Sequence, residues 1–83
     1  MKFRVGVRMP KLGLTMTEGT IVKWYKAVGD PIAVGEPLFG IETEKAEMQV
    51  EAPATGTVVE ILGATSATYL IGAVVAFIEA VSE

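Results

Sequence analysis

The sequence contains no cysteine and no histidine among its 83 residues. Without cysteine the chain can form no disulfide and can supply no thiolate nucleophile or thiolate metal ligand. Without histidine it lacks the most common general base, the most common metal ligand and every nucleophile–histidine pair. We therefore expect a chain that performs no catalysis by itself.

Positive charge and long apolar runs are also scarce. Seven Lys+Arg stand against ten Asp+Glu, so the net charge is -3 and no basic surface is expected to bind nucleic acid. The longest apolar run covers residues 73–78, whereas a membrane helix needs about 20 residues. The first residues alternate charged and apolar side chains, unlike a secretory signal. These features predict no membrane partner and a cytoplasmic location, or the mitochondrial matrix for a processed eukaryotic chain.

The length and the apolar content predict one small folded domain over residues 1–83. About half of the residues, 51%, are hydrophobic, which is too many for a disordered chain. A chain of this size buries roughly 60% of its unfolded surface, which leaves no room for a second core.

The pattern of side chains predicts an all-β fold. Apolar residues rarely recur at helical spacing, and prolines and glycines interrupt every window of helical length. The clearest alternation places Ala46, Met48 and Val50 on one face of a strand. The predicted extended segments cover residues 3–7, 19–26, 32–37, 38–43, 46–51, 57–62 and 69–80, with a loop over residues 11–19.

An internal repeat relates residues 19–24 to residues 56–61 at an offset of 37. The offset also pairs Gly35 with Gly72 and Ile41 with Ile78. Charged residues occupy equivalent positions in the two copies, so their neighbours Val22, Trp24, Val59 and Ile61 are expected to point inward. Two such units should pack together as a sandwich or flattened barrel, because neither can bury its own apolar face.

Lys45 lies between the two repeats, in a stretch that also contains Glu42, Glu44, Glu47 and Glu51. Local sequence alone is compatible with a solvated hairpin lysine in surface ion pairs, which contribute a few tenths of a kcal/mol, about 0.5 at most. A reactive amine on a long, flexible side chain is also possible, but the local sequence by itself favours the solvated lysine.

Several motifs resemble those of lipoyl domains at the N-terminus of the acyltransferase component of 2-oxo acid dehydrogenase complexes. They are Met-Pro-Lys-Leu at 9–12, Thr-Met-Thr-Glu-Gly-Thr-Ile at 15–21, Gly29-Asp30, Glu-Thr-Glu-Lys-Ala at 42–46, and Ala52-Pro53 with Gly56. The resemblance covers nearly the whole chain and implies a flattened barrel-sandwich hybrid of two quasi-symmetric sheets. It also implies that Lys45, on an exposed hairpin, carries lipoic acid in an amide bond.

The resemblance further implies a carrier with several partners. They are a thiamin-diphosphate-dependent 2-oxo acid dehydrogenase, an acyltransferase catalytic domain, a dihydrolipoyl dehydrogenase, and a lipoate-protein ligase or lipoyl transferase. The lipoate would act as a swinging arm for acyl groups and electrons. Its own sulfur atoms would do the chemistry, which a chain without cysteine or histidine cannot supply.

Partner recognition is expected near Lys45. The residues proposed for it are Glu42, Glu44 and Ala46, together with Thr17, Glu18 and Gly19 from the preceding loop, which runs over residues 14–18. The glutamates would form an acidic surface that selects partners and speeds encounter. The alternative is that they form a solubilising face and that the loop covers one end of the barrel.

The sequence departs from the family pattern at two places. Glu44 replaces the more usual Asp, and Ser66 stands where the repeat matches Gly29. Residues 52–83 also contain no Lys or Arg, from which we expect an apolar surface that packs on another domain.

Two other functions are considered. A biotin carrier has the same fold, but methionine is expected on both sides of its lysine, where this chain has Glu44 and Ala46. An unmodified structural module of the same architecture is the other alternative.

Overall fold

The structure is a computed structural model that describes residues 1–14, 16–43 and 46–81. Eight strands are present, and none of these residues lies in a helix. The all-β prediction is confirmed. The strands are β1 (Lys2–Arg8), β2 (Glu18–Trp24), β3 (Pro31–Ile32), β4 (Pro37–Glu42), β5 (Glu47–Glu51), β6 (Gly56–Ile61), β7 (Thr68–Leu70) and β8 (Val74–Val81).

The strands form two four-stranded antiparallel sheets, which confirms the flattened sandwich of two similar sheets. One sheet has the order β1-β8-β6-β3 and the other the order β5-β4-β2-β7. The offset of 37 relates β2, β3 and β4 to β6, β7 and β8. However, β3 pairs with β6 and β7 pairs with β2, so each repeat adds one strand to the sheet of the other. The two repeats therefore build one common core.

The inward orientation predicted for Val22 and Val59 is wrong. Both side chains are half-buried, while their neighbours Ile21 and Val58 are completely buried. The pairing of β2 with β4 skips Val22, and the pairing of β6 with β8 skips Val59. A β-bulge at these equivalent positions shifts the alternation of side chains by one residue. The alternation of inward and outward side chains therefore cannot be extended across the bulge.

The core lies between the two sheets and contains only apolar side chains among the described residues. Ile41, Val50 and Ile78 are buried as predicted, and Phe39 is the largest fully buried side chain. Trp24 is half-buried; its ring lies 4.8 Å from that of Phe39, and its indole N–H donates to the carbonyl oxygen of Gly63 at 2.9 Å. This bond satisfies the polar atom of a large aromatic side chain at the edge of the core.

Equivalent turns follow β2 and β6 and share one backbone conformation. Gly29 has φ 97° and its counterpart Ser66 has φ 72°. Their amides donate to Val58 and Ile21 at 2.7 and 2.6 Å, respectively, which are again equivalent residues. The backbone bonds therefore hold Ser66 in a left-handed conformation that glycine adopts more easily.

In the first repeat, carboxylate side chains accept hydrogen bonds from backbone amides of the turns. The Asp30 carboxylate accepts the Ala27 amide at 2.9 Å, and the Glu36 carboxylate accepts the Ala33 amide at 2.7 Å. The hydrogen bond from the Ala33 amide, together with the nearby positive charge of Lys26, lowers the pKa of Glu36. Neither carboxylate has a counterpart in the second repeat, where alanines stand at positions 67 and 73.

The expected apolar surface of residues 52–83 is not present in the part of this segment that the structure describes. Three of the ten exposed large apolar side chains lie there, Leu62, Leu70 and Val81, and the other seven lie earlier in the chain. Most apolar residues of β6 and β8 point into the core instead. Residues 82 and 83 lie outside the described residues.

Candidate functional site

The hairpin formed by β4 and β5 is the centre of the candidate site. The two strands pair from Pro37 with Glu51 to Glu42 with Glu47. Beyond that pair, both the amide and the hydroxyl of Thr43 donate to the carbonyl oxygen of Ala46, at 2.9 and 3.2 Å. The chain passes from Thr43 to Ala46 through Glu44 and Lys45, which lie outside the described residues. The placement of Lys45 on an exposed hairpin therefore stays a prediction, supported by the strand pairing on either side.

A groove of about 800 Å³ runs beside this hairpin. The connection between β1 and β2 and the first residues of β2 form one side, and the ends of β4 and β5 form the other. At the floor of the groove, Thr20 on β2 pairs with Glu42 on β4. The hydroxyl groups of Thr20 and Thr68 form a hydrogen bond of 2.8 Å. The lining residues are Leu12, Gly13, Met16, Thr17, Glu18, Gly19, Thr20, Glu42, Thr43, Ala46 and Met48.

The groove brings together most of the residues that the sequence proposed for recognition. Thr17, Glu18, Gly19, Glu42 and Ala46 all line it, although the first three lie more than twenty residues from the last two in the sequence. The sixth residue proposed for recognition, Glu44, lies outside the described residues. Shared lining is compatible with a recognition role, and that role stays a prediction.

Gly19 contributes space to the groove. It is buried, and a β-carbon there would lie 3.0 Å from the sulfur of Met9 and 3.1 Å from the terminal methyl of Met16. A larger residue would push the Met16 side chain from its place. The absence of a side chain at position 19 thus helps to set the depth of the groove.

Sequence reasoning missed the apolar lining of the groove, above all Leu12 and Met48. The alternation along β5 had already placed Met48 on the same side as buried Val50, and this was the available signal. Met16 belonged to the predicted recognition loop, and its sulfur accepts the Leu12 amide at 3.3 Å. Leu14 is 96% exposed and does not line the groove.

The rim of the groove is acidic. Glu18 and Glu42 are exposed, and Glu47 is exposed on the hairpin. Within the described ranges, no group of three or more His, Cys, Asp or Glu residues is arranged to hold a metal ion. The site thus presents a shaped surface with negative charge at its edge.

No helix long and apolar enough to cross a membrane occurs among the residues that the structure describes.

Comparison with known proteins gives consistent matches. Residues 5–78 match the family model described as biotin-requiring enzyme, the biotin/lipoyl family. The chain is 49% identical over 70 residues to the dihydrolipoyllysine-residue acetyltransferase component of the pyruvate dehydrogenase complex of Corynebacterium glutamicum, covering 84% of this chain and 10% of that protein. It is 49% identical over 57 residues to the acetyltransferase component of the acetoin cleaving system of Bacillus subtilis, covering 69% of this chain and 14% of the relative.

A solved structure has the same fold. The lipoyl domain of the 2-oxoglutarate dehydrogenase complex from Azotobacter vinelandii superposes with a TM-score of 0.71 and 28% identity, covering 89% of this chain and 94% of that one. The chain thus spans about a tenth to a seventh of the curated relatives described above, but nearly all of this isolated domain. Since the family model covers most of the sequence and the fold agrees, this chain belongs to the biotin/lipoyl family, and it is similar to the lipoyl domains of dihydrolipoyllysine acyltransferase components.

Proposed function

We propose that residues 1–83 form one lipoyl carrier domain and that Lys45 bears lipoic acid in an amide bond. The observation that carries the proposal is the β4–β5 hairpin, which is closed by Thr43 and Ala46 on either side of Glu44 and Lys45. The amide bond joins Lys45 Nζ to the carboxyl carbon of lipoate. A ligase that first activates the carboxylate with a nucleotide would form this bond and release the activating group.

The residues around the hairpin fit such a group. A modifying enzyme must reach the lysine amine, and exposed Ala46 places only a methyl group next to it. The adjoining groove has a mixed lining of threonines and apolar side chains, and its apolar members Leu12, Met16 and Met48 suit an uncharged alkyl chain and ring. When bound, lipoate supplies a disulfide that can be reduced and acylated, then deacylated and reoxidised.

The chain's own contribution is to hold and to present the attachment point. The two strands of the hairpin pair with each other, and β4 also pairs with β2, which fixes the base of the hairpin. Fixed elements position a functional group more accurately than a free loop. The exposed carboxylates of Glu18, Glu42 and Glu47 create a negative potential at the rim that would favour partners with a basic approach surface.

The proposed partners are those of a multienzyme complex. They are a thiamin-diphosphate-dependent 2-oxo acid dehydrogenase, an acyltransferase catalytic domain, a dihydrolipoyl dehydrogenase and a lipoate-attaching enzyme. The named relatives belong to pyruvate, acetoin and 2-oxoglutarate systems, so similarity of this domain does not select one substrate. In this proposal the domain acts as a carrier and performs no catalysis itself.

Intact-mass spectrometry after co-expression with a lipoate-protein ligase tests the proposal. We expect the mass to increase by one lipoyl group and the increase to disappear in Lys45→Ala. Lys23→Ala is the matched control, because Lys23 is an exposed lysine on β2 that does not line the groove, and it should keep the increment.

Other outcomes identify the alternatives. A mass increase of one biotinyl group after co-expression with a biotin ligase, without a lipoyl increment, would indicate a biotin carrier. An unchanged mass with both ligases would contradict the carrier function and leave an unmodified module.

A further inference from the structure

The connection from β1 to β2 breaks the internal symmetry of the fold. Met9 and Ala52 are equivalent in their backbone hydrogen bonds. The Met9 amide donates to Ala73 and its carbonyl oxygen accepts from Gly72, while the Ala52 amide donates to Glu36 and its carbonyl oxygen accepts from Gly35. Gly19 and Gly56 are equivalent by the repeat. Nine residues, 10–18, therefore join two points that three residues, 53–55, join in the other half.

Five residues of this longer connection line one side of the groove beside the β4–β5 hairpin. Leu12, Gly13, Met16, Thr17 and Glu18 all come from this longer connection. The described part of the other half has no comparable connection. The asymmetry of the molecule is thus concentrated next to the hairpin that contains Lys45.

Apolar side chains that line the groove remain partly exposed to solvent. Leu12 remains 42% exposed, while Met16 and Met48 are half-buried and pack against the core with part of their surface. Methionine side chains adapt to varied shapes, and their sulfur atoms are polarisable. The volume of about 800 Å³ falls in the range of roughly 300–1,000 Å³ typical of small-molecule sites.

We propose that this groove is a resting site for the lipoyl group of Lys45, holding its alkyl chain and dithiolane ring against Leu12, Met16 and Met48 between transfer steps. The inference rests on the proposed function. Thr43 and Ala46 line the groove and flank Glu44 and Lys45 in the chain, so an arm on Lys45 would begin within two residues of side chains that line the groove. The occupant is uncharged, as is most of the lining, and the carboxylates of Glu18 and Glu42 lie with exposed side chains at the rim.

Docking has a chemical consequence. A disulfide that spends part of its time against apolar walls is less accessible to a reductant in solution. The arm would then be in equilibrium between a protected state and a free state, and a partner enzyme would take up the free state.

Nuclear magnetic resonance of the ε-methyl groups of Met16 and Met48 tests the proposal on the isolated 83-residue chain. Mass spectrometry first establishes that Lys45 is lipoylated, so failure of modification is recognised separately. In the lipoylated chain we expect both methyl resonances to shift relative to the unmodified chain and to show nuclear Overhauser contacts to lipoyl protons.

A charged substitution in the wall provides the second measurement. Leu12→Glu should abolish the contacts and increase the rate of disulfide reduction by a water-soluble phosphine several-fold. Leu62→Glu is the matched control, because Leu62 is 49% exposed and does not line the groove. It should leave both the contacts and the rate unchanged.

A lipoylated chain whose Met16 and Met48 methyl resonances match those of the unmodified chain would overturn the proposal. Equal reduction rates for wild type, Leu12→Glu and Leu62→Glu would do the same. In either case the groove would be available to a partner protein and not to the arm.

Discussion

Gly56→Ala should destabilise the fold strongly, whereas the same change at the equivalent Gly19 should not. A β-carbon at position 56 would overlap the backbone carbonyl of Glu79 on β8 and approach a methyl group of Ile78 at 3.0 Å. A β-carbon at position 19 would meet only side-chain atoms: the sulfur of Met9 at 3.0 Å, the terminal methyl of Met16 at 3.1 Å and a methyl group of Ile41 at 3.5 Å. The two positions share the same place in the repeat, so they form a matched pair.

The expected loss of stability depends on which atoms a β-carbon at position 56 would displace. Overpacking against a well-packed core costs about 1–3 kcal/mol, and displacement of a strand backbone belongs at the upper end, near 3 kcal/mol. The lower backbone entropy of alanine in the unfolded chain offsets about 0.4–1 kcal/mol. We therefore expect Gly56→Ala to lower the free energy of unfolding by about 2 kcal/mol and Gly19→Ala to change it by less than about 1 kcal/mol.

Urea denaturation and thermal unfolding measure this difference. A loss of about 2 kcal/mol corresponds to a decrease in Tm of about 8–16 °C for a domain of this size. The urea midpoint should fall with an unchanged m-value, since the surface exposed on unfolding stays the same. If Gly56→Ala were as stable as Gly19→Ala, the close approach of β6 to the backbone of β8 would be wrong.

Two further predictions concern the turns. Ser66→Gly should raise the free energy of unfolding by about 0.5–1 kcal/mol, because glycine adopts the left-handed conformation of this position without strain. Ser66→Ala should leave the free energy of unfolding nearly unchanged. Equal effects of the two changes in thermal unfolding would contradict an origin in backbone strain. The pKa of Glu36 is lowered from 4.5 in the folded state, so its ionised carboxylate stabilises the fold above pH 4.5 and this contribution is lost as pH falls through the lowered value. Glu36→Gln should therefore reduce Tm at neutral pH, and the difference from wild type should shrink as the pH falls below 4.5, as measured by thermal unfolding over a series of pH values. A Tm difference independent of pH would contradict the ionic origin.

Much of the fold could be predicted from the sequence because the local patterns are unambiguous. The alternation over residues 46–50, the β-branched segments and the turn residues identify nearly every strand, and the repeat indicates two similar sheets. The bulges at Val22 and Val59 could not be predicted. A bulge is decided by how two strands pair, and neither strand alone contains that information.

The candidate site was predicted in part. The family pattern pointed to Lys45 and to neighbours such as Glu42 and Gly19, and the structure places both of these neighbours on one groove. The apolar walls were missed because Leu12 and Met48 lie far apart in the sequence and have no motif of their own. Only the pairing of β2 with β4 brings these distant segments together.

The sequence by itself determined that this is an all-β chain with no cysteine or histidine chemistry and with one lysine set between two repeats. These properties follow from composition and local periodicity, which act along the chain. Only the tertiary structure decided the exchange of β3 and β7, the positions of the bulges and the groove beside the hairpin. Each of these depends on contacts between residues distant in sequence, which form only when the two repeats pack into one core.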